Sequence, residues 1–234
     1  MPFEEIVDDF RFNGKIVPAL TASVVNGPWA KADTSSAGTP TLAAAGGFMV
    51  GAFDAQSEVQ NLCLYHGDIL SYDIDDLVSA EFWIKTVAAL DAASQLAFGM
   101  ESARNDAIDS IAEAALFRII GNNSVVVESD DGTNNNDDVA TGQTLVAAVK
   151  RFHIDFKTGI QSKVGVQSVG GKANVLFSMS DGRGALRPVA RATQFDMSNY
   201  AGGLQPFVQL QKTADTNVDS FSLQRVRIVY RVEV

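Results

Sequence analysis

Two long alternating runs near the C-terminus constrain this chain more than anything else in it. They are PFVQLQK (206–212) and SFSLQRVRIVYR (220–231), separated by the polar stretch TADTNVD (213–219). Successive side chains of a strand point to opposite faces, so a period of two puts one side in a core and the other towards water. The two runs are therefore antiparallel strands of an all-β protein. The second run contains a register conflict. Phe221 and Leu223 fall on one face, while Val226, Ile228 and Tyr230 fall on the other. A β-bulge near Gln224–Arg225 reconciles them, because one extra residue flips the alternation.

The same grammar extends upstream. Short strand-like runs include FMVGAF (48–53), VQNLCLY (59–65), ILSYDI (69–74), SAEFWIKTV (79–87), QLAFGM (95–100), ALFRIIG (115–121), SVVVES (124–129) and LVAAVKRFHIDF (145–156). In SAEFWIKTV, Ala80, Phe82 and Ile84 share one face, and Glu81, Trp83 and Lys85 the other. Turn signals separate the runs: Gly67-Asp68, DDGTNNNDD (130–138), Gly170-Gly171 and SDGRGALRP (180–188). Many short strands with frequent turns predict a two-sheet antiparallel sandwich. One stretch departs from the pattern. In ESARNDAIDSIAEAA (101–115), Ala103, Ala107, Ile111 and Ala114–Ala115 recur at three-to-four spacing, which predicts one short inserted helix near 102–115. With 234 residues and 46% hydrophobic content, a single sandwich domain can occupy 46–234. Residues 1–45, broken by Pro28, Pro40 and Gly46–Gly47, read as an N-terminal arm with the first edge segments. That arm either packs on its own body or reaches a neighbouring subunit.

Chemical signatures are sparse. The formal net charge is −10, which repels phosphate backbones and anionic membrane surfaces, so neither nucleic acid nor membrane is an expected partner. The single cysteine, Cys63, rules out an internal disulfide and reads as a small buried hydrophobe. His66 and His153 lack the spacing of a transition-metal site. No nucleophile elbow, phosphate loop or dinucleotide fingerprint occurs, and no catalytic residue is assigned. Glycoside hydrolysis needs two carboxylates flanking a sugar bond. The nearest pattern is YDIDD, where Asp73 and Asp75 share a face without the glutamates that such a site would add. The loop DDGTNNNDD concentrates oxygen ligands, Asp130, Asp131, Asn134, Asn136 and Asp138, in the manner of a calcium site. The alternative is a solvated turn. Arg183, Arg187 and Arg191 form a local basic patch on an acidic protein, either solvated or suited to an acidic partner surface.

The segments GPWAKADTSSAGTPT, LYHGDILSYDIDDL, EFWIKT, AFGMESARND, VVVESDDGT, FHIDF and FDMS…LQPFVQLQK resemble those of concanavalin A-like jelly rolls among tailed-bacteriophage virion structural proteins, including capsid decoration (cement) proteins. The resemblance implies a two-sheet jelly roll without catalysis or a required cofactor. Made in the host cytoplasm, it would bind the major capsid protein on the outer capsid surface of the virion, often as a homo-oligomer, and stabilise the shell. The expected contacts are Phe3, Ile6, Phe10, Phe12, Trp29, Arg183, Arg187 and Arg191. The alternative is a glycan-binding, lectin-like module of a phage head or tail appendage.

Overall fold

A computed structural model describes residues 3–10, 28–86, 88–121, 123–145, 147–156, 172–180 and 184–232. Sixteen strands account for nearly all regular structure among them. They are β1 (Phe3–Asp9), β2 (Ala30–Asp33), β3 (Thr41–Ala45), β4 (Phe48–Ala52), β5 (Glu58–Tyr65), β6 (Tyr72–Asp73), β7 (Leu77–Thr86) and β8 (Ser94–Glu101). There follow β9 (Glu113–Ile120), β10 (Ser124–Asp131), β11 (Asn135–Thr144), β12 (Lys150–Asp155), β13 (Leu176–Ser180), β14 (Arg187–Pro188), β15 (Gly203–Asp215) and β16 (Ser220–Arg231). All described pairings are antiparallel. One eight-stranded sheet runs β14-β13-β12-β7-β16-β4-β3, with β1 also on β16. The other runs β11-β10-β9-β8-β15-β5-β2, with β6 also on β15. This is the concanavalin A-like jelly-roll sandwich.

The two C-terminal strands are consecutive in sequence but lie in opposite sheets, each near the middle of its own. The bulge expected in β16 is present: its register with β7 shifts between Leu223 and Arg225. It also marks a change of neighbour. Residues 220–223 pair with β4, and residues 225–231 pair with β1. The Gln224 carbonyl, freed from the ladder, accepts the Phe10 amide at 3.0 Å.

Alternation fills the space between the sheets. Phe82, Phe152 and Phe177 come from one sheet, Phe98 and Phe117 from the other, and all are buried. Their rings interdigitate, with centroid separations of 4.8 Å for Phe98–Phe152 and 5.0 Å for Phe117–Phe152. Truncating such a ring typically costs about 3–5 kcal/mol. Lys212 is the exception on the apolar register of β15, at 0% exposure. Its Nζ donates to the carbonyls of Asp54 (2.8 Å), Gln56 (3.0 Å) and Asn217 (3.1 Å). Three donors meet three acceptors, which is how an ammonium is tolerated inside.

Both faces of β15 are covered, and the segment expected to be helical is the reason. The inserted helix reduces to a single 3-10 turn, Ile108–Ser110. Asn105 diverts the backbone: its Oδ1 accepts the Ala107 amide at 3.0 Å and its Nδ2 donates to the Ser110 carbonyl at 2.8 Å. Side chains that bond the local backbone compete with helix formation. Ile108 and Ile111 instead lie over the outer face of the second sheet. There they form a second cluster with Cys63, Ala97, Ala114, Leu116 and Phe207. Ala114 and Ala115 belong to β9, one facing each way.

Two further boundaries shift. ILSYDI contributes only the two residues of β6. The DDGTNNNDD loop tightens to a turn closed by Asp131 N to Asn134 O at 3.2 Å, after which residues 135–138 begin β11.

Candidate functional site

The oxygen-rich loop is held by amide donors. Asp131 Oδ1 accepts the backbone amides of Thr133 (2.9 Å) and Asn134 (2.6 Å). Its Oδ2 accepts the Asn134 side-chain amide (3.0 Å) and both the backbone (3.0 Å) and side-chain (3.1 Å) N–H groups of Asn199. Burial works against the charged form, but the donors from Asn134, Asn199 and Thr133 prevail and hold the carboxyl down at about 2. Asp130 accepts the Gly132 amide at 2.8 Å, and Asn136 donates to the Gln194 carbonyl at 3.2 Å. Both oxygens of Asp131 and one of Asp130 are thus taken by amide donors, and the side-chain amides of Asn134 and Asn136 donate to their neighbours. Asp138 is brought elsewhere, beside Glu128 and Asp137. Arg118 meets two of these three: its Nη1 reaches Glu128 Oε1 at 3.0 Å and Asp138 Oδ1 at 3.6 Å, and also Asp109. A guanidinium already supplies the positive charge that this cluster needs. Burial still dominates at Glu128 and pushes its carboxyl up to about 7, with Arg118 opposing.

The carboxylates weighed for hydrolysis do not face one another across a cleft. β6 ends at Asp73, so Asp75 is in the following turn rather than on the same strand face. Asp73 Oδ1 accepts the Asp75 amide at 2.8 Å, and Asp75 pairs with Lys172 at 2.8 Å. A different carboxyl, unsuspected from the sequence, is buried at the end of β8. Glu101 is 0% exposed, and neither of its oxygens has a hydrogen-bond partner among the described residues. Burial, reinforced by nearby Asp68 and opposed by Arg104, pushes it up to about 8. The only sequence signal for it is its place at the end of the apolar run QLAFGM. Cys63 lies on the same face, and burial raises its thiol well above the ordinary range.

The proposed contact residues scatter. Phe10 and Trp29 are buried, with Trp29 Nε1 donating to Asp8 Oδ2 at 2.9 Å. Ile6 packs against the core. Phe3 is 61% exposed at the start of β1. Arg187 and Arg191 are exposed, while Phe12 and Arg183 lie outside the described residues. Four strand spacings separate β14 from β16, so Phe3 and Arg187 stand roughly 20 Å or more apart at ~4.8 Å per strand.

Arg187 and Arg191 do meet something else. β11 closes one edge of the second sheet and β14 closes one edge of the first. Between these edges opens a crevice of about 660 Å³. Thr141 and Gln143 of β11 line it from the second sheet, and Lys150 of β12, Met179, Ser180, Gly184, Ala185, Arg187, Pro188, Val189, Ala190 and Arg191 from the side of the first. Its volume is that of a small-molecule site. No aspartate or glutamate lines it among the described residues. Sequence reading had singled out the two arginines, but not Thr141, Gln143 or Lys150. Those lie on two other strands, and nothing local marks them as sharing a wall.

No protein-family model and no curated protein matches this chain. Solved structures do resemble it. A native glycosidic hydrolase is 10% identical, with 96% of this chain and 94% of the other covered and a TM-score of 0.60. The β-glucanase of Bacillus licheniformis is 12% identical, with 98% of each chain covered and a TM-score of 0.57. The exoplasmic/lumenal domain of VIP36, in a Ca2+/Man3GlcNAc-bound form, is 6% identical, with 88% and 85% covered and a TM-score of 0.54. At these identities the likeness is one of fold, and that fold occurs both in a glycan-bound domain and in glycoside-cleaving enzymes.

Proposed function

We propose that this chain is a non-enzymatic glycan-binding module. The observation that carries the reading is the crevice between the β11 and β14 edges. It is ligand-sized, lined by hydroxyl, amide and cationic groups, and free of carboxylates among its described lining residues. Such a lining can hydrogen-bond a saccharide but supplies no acid–base pair to cleave one. Glu101 does not repair this, because it is fully buried without a described hydrogen-bond partner and is not among the residues that line the crevice. The fold is one in which glycan binding is at home, as in the glycan-bound domain above. The test is a panel of immobilised neutral and acidic glycans probed with the purified chain. Retention on a defined subset, without release of reducing ends, supports the reading. Turnover on any polysaccharide, or retention on none, overturns it.

A second reading is carried by β1, whose outward face presents Phe3 and Val7 as exposed apolar side chains. Together with the resemblance to virion proteins, these two residues favour a capsid decoration role, in which β1 docks on the major capsid protein from outside and copies of the chain share the lattice. A partner that binds only the assembled shell stabilises it by mass action. Co-sedimentation with phage heads lacking the protein tests this. Saturable binding lost on Phe3→Ser with Val7→Ser supports it, and absence of binding removes it.

A further inference from the structure

The crevice is charged opposite to the rest of the molecule. The chain carries 28 acidic residues against 18 basic ones, yet the charged residues of this wall, among the described ones, are Lys150, Arg187 and Arg191. Several surface cations elsewhere are paired, Lys172 with Asp75, Arg225 with Asp9 and Arg227 with Glu5, whereas Lys85 lies over the Phe48 ring. No ion pair involves Lys150, Arg187 or Arg191 among the described residues. Lys150 Nζ donates to the Thr144 carbonyl, leaving further N–H donors.

The cations are set by backbone rather than left on a loose turn. Arg187 is held on β14 by its register with Met179, and the next residue but one, Val189, donates its amide to the Phe177 carbonyl at 2.8 Å. Ala190 then adopts a left-handed φ of +52°, and Thr193 N closes onto its carbonyl at 3.1 Å. A left-handed alanine costs roughly 1–2 kcal/mol. Here it reverses the chain so that Arg191 returns to the wall that Arg187 occupies. Across the gap, Asn136 of β11 donates to the Gln194 carbonyl, tying the two sheet edges together.

We infer that this crevice binds carboxylate-bearing saccharides, hexuronate units of an acidic polysaccharide, through Lys150, Arg187 and Arg191. The inference rests on the glycan-binding reading and names its ligand class. A guanidinium matches a carboxylate with two parallel N–H donors, and an ammonium adds a point charge. The apolar stretch Met179, Pro188, Val189 and Ala190 offers a surface for the C–H face of a sugar ring, which a bare phosphate would not use. The Gln143 side-chain amide lines the crevice where ring hydroxyls can be met, while the Thr141 hydroxyl is engaged by the Val125 carbonyl and the Gln143 backbone amide.

Calorimetric titration of the full chain decides this. The probes are a galacturonate hexamer, the neutral cellohexaose, inorganic phosphate and a single-stranded DNA oligonucleotide. The galacturonate hexamer is expected to bind at least 10-fold more tightly than cellohexaose, and to weaken as sodium chloride is raised. Arg187→Gln with Arg191→Gln should lose that binding 10-fold or more, and Lys150→Gln should weaken it less, with circular dichroism and Tm retained. Equal binding of both hexamers, unchanged in the double variant, overturns this inference and leaves the glycan reading standing. Phosphate competing as well as the hexamer, or DNA binding through the same arginines, overturns it in favour of a simple anion site. Binding of no saccharide removes the glycan reading itself.

Discussion

The Arg118 cluster and the Lys150–Arg187–Arg191 crevice are built from similar side-chain types and are opposite in what they ask of a partner. In the first, one buried guanidinium is surrounded by Glu128, Asp109 and Asp138, and its charge is answered within the fold. In the second, three cations share a wall with no carboxylate among the described lining residues. A cluster of charges is structural when its members answer one another and becomes a binding site when they do not. Sequence composition pointed towards the acidic loop for a ligand, whereas the structure commits Asp131 of that loop to amide donors and leaves the basic wall without an ion pair among the described residues.

The contrast can be broken most forcefully at Arg118. Arg118→Met should destabilise the protein by about 3 kcal/mol, because it strands a buried carboxylate beside others. Urea denaturation measures it, and a loss below about 1 kcal/mol would mean that Arg118 is not the cluster's counter-charge.

Glu101 sharpens the comparison, as a buried carboxyl with no described hydrogen-bond partner. Its folded value of about 8 lies above its ordinary 4.5. The folded state therefore holds a proton that the unfolded state has released, and stability is lost as pH rises between these values. The slope is about 1.4 kcal/mol per pH unit across that window. Glu101→Gln should match the wild type near pH 4 and exceed it progressively towards pH 8. Parallel stability curves for the two proteins would refute the assignment.

Asp131→Asn should cost about 1–2 kcal/mol, since one oxygen cannot serve the donors now shared between two. Millimolar calcium should leave the wild-type Tm in place. A clear rise would return the loop to calcium and end the contrast.

The smallest stability effect belongs to the crevice. Arg187→Gln with Arg191→Gln should change stability by less than about 0.5 kcal/mol, as exposed substitutions without an ion pair among the described residues do. A larger loss would make these arginines structural and equate the two clusters.

Local alternation by itself determined a good deal. It placed Ala80, Phe82 and Ile84 inward on β7, predicted the bulge at Gln224, and separated strands from turns along most of the chain. It misread 102–115 as a helix because the spacing of Ala and Ile mimics one, while Asn105 and its neighbours spend their side chains on the backbone. It also extended the 130–138 loop, since Asn and Asp suit an exposed edge strand as well as a turn. Only the tertiary structure decided which strands became neighbours. A period of two states which face a side chain takes but not which strand lies beside or across from it. Consecutive β15 and β16 thus separated into opposite sheets, Arg118 met Asp138, Glu101 was buried near Asp68 and Arg104, and Lys150 came to share a wall with Arg191. Those contacts join residues far apart in sequence, and their energies depend on burial and distance that no local pattern encodes.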